Sequence, residues 1–189
     1  MTFKNRLTRM LDIEHPILLA PMDLVSGGRA AAAVSQAGGF GLLGGGYGDA
    51  DWIDREWDRA GNARIGCGFI TWSLAKNPQI LDRTLAHGPA AIMLSFGDPL
   101  PFAAAIHAAG ALLICQVQTV AQAREAQEAG ADIIVAQGTR PAATACPSRS
   151  LLCCRRSWMF ARTGPSSRRE ELLMAVAWGR HCYWELMEC

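Results

Sequence analysis

The 189-residue sequence has no excess of either charge: 18 Lys and Arg stand against 17 Asp and Glu, for a formal charge of +1. It therefore offers no basis for a nucleic-acid or anionic-membrane surface. No apolar run approaches the roughly 18 residues that a membrane span needs. The opening Met1-Thr2-Phe3-Lys4-Asn5-Arg6 leads into mixed-charge sequence ending at His15, not into the apolar core of a signal peptide. A soluble, cytoplasmic protein in a reducing compartment is the expectation. His, Cys, Asp and Glu never fall together at metal-ligand spacing, which argues against a metal hydrolase. Only Cys67 and Cys115 occur in the first 139 residues, both in apolar segments, and they read as small buried hydrophobes.

Further absences divide the chain at Thr139. Residues 140–189 contain no Asp, Asn, Gln, Lys or Ile, and only two of the 19 Gly. They hold five of the seven Cys, eight Arg and three of the six Trp. Cys146, Cys153, Cys154, Cys182 and Cys189 form no paired C-x-x-C arrangement, so a zinc or disulfide module is a poor reading. Arg155-Arg156 and Arg168-Arg169 are too sparse to define a nucleic-acid patch.

Before that break the chain is regular. Short apolar runs alternate with Ala-rich segments. Strands are expected over Ile17–Met22, Phe40–Gly45, Arg64–Thr71, Ala90–Phe96, Ala111–Val117 and Asp132–Gln137. Helices are expected over Gly27–Ala37, Asp51–Ala60, Pro78–His87, Pro101–Ala109 and Thr119–Ala129. The strands are apolar at consecutive positions, the mark of a parallel sheet buried on both faces. Ala109-Gly110-Ala111 and Ala129-Gly130-Ala131 repeat one grammar: Gly ends a helix and the chain turns at once into a strand. A strand–helix unit of 20–25 residues points to a (β/α)8 TIM barrel, with a doubly wound open sheet as the alternative. Six units by residue 138 favour an incomplete barrel. Residues 1–139 read as its N-terminal part, and residues 140–189 as an aberrant, poorly ordered tail.

In such a barrel the site lies where strands end. Those ends carry Ala20-Pro21-Met22-Asp23, Gly44-Gly45-Gly46-Tyr47-Gly48, Gly68-Phe69-Ile70-Thr71-Trp72, Ser95-Phe96-Gly97-Asp98-Pro99, Gln116-Val117-Gln118-Thr119 and Gln137-Gly138-Thr139. Glycine would let a flat ligand approach the backbone, and neutral Ser, Thr and Gln would hydrogen-bond the edge of a heteroaromatic ring.

Residues 16–139 resemble the nitronate monooxygenase family, formerly called 2-nitropropane dioxygenases, which are FMN-dependent TIM barrels. The matching phrases are Ala20-Pro21-Met22, Gly66-Cys67-Gly68-Phe69-Ile70-Thr71-Trp72, Met93-Leu94-Ser95-Phe96-Gly97-Asp98-Pro99, Ile114-Cys115-Gln116-Val117-Gln118-Thr119 and the run from Gly130 to Thr139. The resemblance implies that Ala20, Pro21 and Met22 line the flavin and that Gln137, with Gly138 beside it, bonds to it. It also implies that Phe69, counted among the cofactor-binding residues, lies on the strand that borders its edge, and that Ser95, Phe96 and Gln118 surround the ring or the substrate. The implied reaction oxidises a nitroalkane or nitronate with dioxygen to a carbonyl compound and nitrite. FMN supplies the redox chemistry and a His removes the α proton. An FMN-dependent enoyl-acyl-carrier-protein reductase is the rival enzyme, and a non-catalytic pseudogene fragment the rival from another class. Small-molecule nitroalkane or nitronate and dioxygen are the expected partners.

The family phrase continues Gln-Gly-Thr-Glu-Ala-Gly-Gly-His-Gly, and its His is the base. Here Arg140-Pro141-Ala142-Ala143-Thr144-Ala145 follows Thr139. These residues can be encoded as AGG CCG GCG GCC ACG GC; preceded by one G and regrouped, that text reads GAG GCC GGC GGC CAC GGC, or Glu-Ala-Gly-Gly-His-Gly. The same regrouping of Arg168–Ala177 admits Ala-Ala-Gly-Gly-Ile-Ala-Asp-Gly-Arg-Gly, a Gly-rich loop of the kind that holds the FMN phosphate. The tail therefore reads as the family's own gene in a shifted frame. Thr144 then occupies the position of the base, and no catalytic residue is expected in this chain. His15, His87, His107 and His181 lie before the first strand, on outer helices or in the tail, and are not candidates.

Overall fold

The computed structural model describes residues 4–137 and the backbone of residues 159–162 and 172–174. In chain order its elements are α1 (Arg6–Leu11), α2 (Gly28–Gln36), β1 (Gly41–Gly46), α3 (Ala50–Ala60), β2 (Ile65–Ile70), α4 (Thr71–Leu74), α5 (Gln79–Leu85), β3 (Ala91–Ser95), α6 (Leu100–Ala108), β4 (Leu112–Val117), α7 (Val120–Glu128), β5 (Ile133–Gln137), β6 (Met159–Arg162) and β7 (Leu172–Met174). One sheet runs in the order β1 to β7; β1 to β5 are parallel neighbours, each joined to the next through helix on the outer side. This is the expected strand–helix alternation of a partial TIM barrel. Beyond β5 the direction reverses: β6 pairs antiparallel to β5, and β7 antiparallel to β6.

Burial on both faces explains the unbroken apolar strands. Leu43, Ile65, Cys67, Phe69, Ile92, Leu94, Leu113 and Cys115 pack into a cluster with helix residues such as Ile53, Leu81, Phe102 and Ile106. Leu18, Phe40, Leu42, Met93, Ile114, Ile133 and Val135 form a second cluster on the opposite face. Strand parity sorts them, since neighbouring residues such as Leu42 and Leu43, or Leu113 and Ile114, face opposite ways. The inner cluster is completed by Leu7 and Leu11, four residues apart on one stripe of α1 and both fully buried. Asn5 and Thr8 form a capping box that starts this helix. Arg64, the residue before β2, donates to the Leu11 carbonyl and so ties α1 to the N-terminal end of the sheet.

The strand expected over Ile17–Met22 is corrected. Only Leu18 forms a bridge, parallel to Phe40. Pro21 has no N–H to extend a ladder. The chain instead closes on itself: Met22 N–H donates to the Ala20 carbonyl at 2.9 Å, and Val25 and Ser26 N–H both donate to the Met22 carbonyl at 3.0 Å. The other expected strands and helices form within a few residues of their expected limits. Gly110 and Gly130 adopt φ of 76° and 86°, the left-handed turn required where their helices end.

Candidate functional site

The C-terminal ends of β3, β4 and β5 carry a linked set of neutral side chains. Register places Ser95 opposite Gln116. The Ser95 hydroxyl donates to Gln116 Oε1 at 3.4 Å, and Gln116 Nε2 donates to Gln137 Oε1 at 2.5 Å. Gln118 Nε2 donates to the same oxygen at 3.2 Å. Thr119 starts α7 with a capping box, and Gln122 Oε1 accepts from Gln118 N–H at 2.8 Å, which fixes the backbone that presents Gln118. A small cavity next to this array is lined by Gln116, Gln118 and Phe96 and also by Leu94, Cys115 and Val117 of the helix-side cluster. A larger depression, about 340 Å³, lies between α2 and α3 and is lined by Val25, Arg29, Glu56 and Arg59.

Of the residues expected at the site, Ser95, Gln118 and Gln137 come together, with Phe96 beside them. Ala20, Pro21 and Met22 form the turn at the mouth of the sheet. Ser26 pins this turn by donating from Oγ to the Ala20 carbonyl at 2.6 Å and accepting from Met22 N–H at 3.1 Å. Phe69 is not brought to the array. It is buried in the helix-side cluster with Cys67. Gly138 and Thr144 lie outside the described residues. Gln116, which joins Ser95 to Gln137, was absent from the expected set. Its parity with Ile114 and its register with Ser95 are the signals that would have found it.

The glycines serve a purpose other than the expected one. A Cβ on Gly44 would lie 1.8 Å from the Met22 carbonyl oxygen, and one on Gly68 would lie 2.4 Å from the Pro21 ring. On Gly46 it would meet Asp23 Oδ1 at 1.9 Å. These positions are glycine so that the Pro21–Asp23 turn can seat on the sheet, not to leave room for a ligand. Gly97 is likewise filled by Thr71, whose Cβ would be 2.8 Å away.

Two features mark the rim as unusual. Phe96 has φ of 61°, left-handed for a large side chain, and is exposed; such a conformation costs on the order of 1–2 kcal/mol. Thr71 is 1% exposed, and its Oγ1 has no hydrogen-bond partner among the described residues. The large apolar side chains that remain exposed among the described residues, Leu24, Val25, Tyr47, Trp72, Phe96, Leu100 and Val120, fall between the sheet and the next helix or in that helix's first turn. Tyr47 and Trp72 meet edge to face at 5.7 Å, with Lys76 Nζ 4.6 Å from the Trp72 ring centre.

Neither thiol is poised for chemistry. Burial pushes the Cys67 thiol up to about 12. Burial, then the Asp132 charge, does the same for Cys115, also to about 12. His87 is paired with Asp54 at 2.7 Å and stacked on Trp57, and His107 bonds Asp132 at 3.1 Å. His15 lies against Gly38, at the far end of the sheet. Among the described residues no group of three or more His, Cys, Asp and Glu is placed to hold a metal ion, and no helix is long and apolar enough to cross a membrane.

A parallel sheet clothed by helices, with a neutral polar rim at its strand ends, defines a section of a (β/α)-barrel protein. The family model for nitronate monooxygenase matches residues 4–63. The nitronate monooxygenase of Neurospora crassa is 33% identical over 164 residues, 66% of this chain and 43% of that protein. FabK from Thermotoga maritima superposes with a TM-score of 0.63 at 27% identity, covering 69% of this chain and 43% of its own. Nitroalkane oxidase from Streptomyces ansochromogenes gives 0.58 at 28% identity, covering 71% and 49%. The chain belongs to the nitronate monooxygenase family, a family of oxidoreductases. It spans less than half the length of these relatives.

Proposed function

We propose that this chain is a section of an FMN-dependent enzyme that oxidises nitroalkanes or nitronates with dioxygen to a carbonyl compound and nitrite. The observation that supports it best is the Ser95–Gln116–Gln137–Gln118 array at the strand ends. Uncharged donors and acceptors on a rigid sheet suit the edge of a heteroaromatic ring better than they suit a phosphate or a metal. The residues present fit such a ring: Gln137 Nε2 has no partner among the described residues. Bound FMN would supply the electron transfer between substrate and dioxygen.

The chain's own groups have narrower tasks. Gln137 donates to an acceptor on the ring edge. Ser95, Phe96 and Gln118 stand beside it, and the Ala20–Met22 turn, held by Ser26, forms the neighbouring wall. Phe69 acts through packing alone. Gly138 follows Gln137 directly and would lie against the same ring. No described histidine reaches this rim to remove the α proton of a neutral nitroalkane. In the shifted-frame reading Thr144 takes the place of the base, and a Thr hydroxyl does not accept a proton near neutral pH. The chain is therefore expected to hold FMN weakly or not at all and to turn over nitroalkanes at no measurable rate. It acts, if at all, as a soluble cytoplasmic protein.

The test is expression of the 189-residue chain beside a version with one base restored near codon 139. Flavin absorbance and nitrite release from a nitroalkane are the readouts. The restored protein should be longer, yellow and active. A stoichiometric, active flavoprotein from the 189-residue chain would overturn the impairment, and a restored protein without flavin would overturn the flavin reading. The regrouped Ala-Gly-Gly-His phrase also occurs in FMN-dependent enoyl-acyl-carrier-protein reductases, which makes that the second reading. NADH oxidation with a crotonyl thioester, in place of nitrite release, would favour it.

A further inference from the structure

Gln116 has no ligand role in the reading above, yet it joins the array together. Its Nε2 donates to Gln137 Oε1 at 2.5 Å, and its Oε1 accepts from Ser95 Oγ at 3.4 Å. Gln118 Nε2 donates to the same Gln137 oxygen at 3.2 Å. Two amino groups converging on one oxygen determine which end of the Gln137 amide they meet. Turning over any one of the three amides alone would set oxygen against oxygen or NH2 against NH2, so they reverse only together. With its oxygen taken twice, Gln137 is left with Nε2. That nitrogen has no partner among the described residues, and Gln137 is only half-buried. It is a donor within reach of a ligand.

We infer that Gln116 and Gln118 are positioning residues that set the hydrogen-bonding polarity of Gln137. The site thereby offers an N–H donor and selects a ligand with an acceptor edge, such as the ring nitrogen or carbonyl of an oxidised heteroaromatic. The ligand's identity rests on the flavin reading above; the polarity of the array does not. Gln118 on this account serves the ligand through Gln137 and not by direct contact.

Side-chain amide exchange in the full 189-residue chain, labelled with 15N-glutamine, tests the polarity without any ligand. Slow exchange is expected at Gln116 and Gln118 Nε2 and fast exchange at Gln137 Nε2. Each signal is assigned by its loss on substitution with Glu. Protection of Gln137 with free exchange at the other two overturns the inference. FMN titration followed by flavin fluorescence tests the consequence. Gln137→Glu keeps the acceptor that both neighbours need, so its thermal midpoint should not move. Its FMN affinity should fall about tenfold, the scale of one lost hydrogen bond. Gln116→Glu leaves Gln137 in place but obliges its NH2 to turn inward. Exchange protection should move onto Gln137 Nε2, and FMN affinity should fall by a similar factor. Unchanged affinity in Gln116→Glu overturns the positioning role. If the unsubstituted chain takes up no FMN, the affinities are compared in the frame-restored protein, where an absence of flavin would overturn the flavin reading, and the exchange pattern still decides the polarity.

Discussion

Gly44→Ala is expected to be among the most damaging single-methyl changes in this fold. The new Cβ would sit 1.8 Å from the Met22 carbonyl oxygen and 2.4 Å from its carbon, far inside the roughly 3.5 Å of ordinary contact. Met22 cannot move aside cheaply. Its oxygen accepts from Val25 and Ser26 N–H, and its N–H meets the Ala20 carbonyl and the Ser26 hydroxyl. Relief of the overlap means loosening the turn. Overpacking costs about 1–3 kcal/mol, and two or three hydrogen bonds at about 1 kcal/mol each add to it, for a total of about 3–6 kcal/mol. Gly61→Ala is the control: nothing lies within 4 Å of its Cβ, but its φ of 60° penalises Ala, by roughly 1 kcal/mol. Urea unfolding followed by Trp fluorescence should place Gly44→Ala well below Gly61→Ala in midpoint. Equal midpoints would refute the view that these glycines seat the turn.

Cys67 and Cys115, both held up to about 12 by burial, should resist iodoacetamide at pH 8 by roughly a thousandfold relative to a free thiol. Peptide mapping of the folded, alkylated chain checks this, and labelling at the free-thiol rate contradicts it. Thr71→Val replaces an unpartnered buried hydroxyl and should stabilise the fold by about 1 kcal/mol; a loss of stability would reveal a partner for Oγ1. Asp54 is held below its ordinary 3.8, first by the hydrogen bond from His87 and then by Arg83, against the opposing effect of burial. A carboxylate favoured in the fold contributes stability above its unfolded value, and loses it as pH falls through the folded value. Asp54→Asn should therefore lower the unfolding midpoint at pH 7 and converge with the parent in acid, once pH lies below the folded Asp54 value. An equal deficit at both pH values would remove Asp54 ionisation as the cause.

All but the first of the expected strands, and the expected helices, were legible because apolar runs and glycine stops are local signals. The helix over Arg6–Leu11 was not, although Leu7 and Leu11 are spaced four apart and Asn5–Thr8 caps it, because its charges hide a stripe only two leucines wide. Parity was the harder problem. Strands buried on both faces show no polar alternation, so nothing in the hydropathy said that Phe69 faces the helices while Ser95 and Gln116 share a rim. The shift between Gly44 and Gly46 breaks simple counting on β1 as well. The glycines were visible, but what occupies the space beside them depends on a turn contributed from more than 20 residues away.

The outer edge of β5 has a single row of backbone donors and acceptors, and residues 159–162 occupy it running backwards, from Gln137↔Met159 to Ile134↔Arg162. A same-direction neighbour, which a continuing barrel requires, needs that row in a slanted pattern incompatible with the antiparallel one. The two are mutually exclusive tenants of one edge. Circular dichroism and hydrogen exchange at residues 133–137 would thus report which reading frame a cell has translated before any substrate is added.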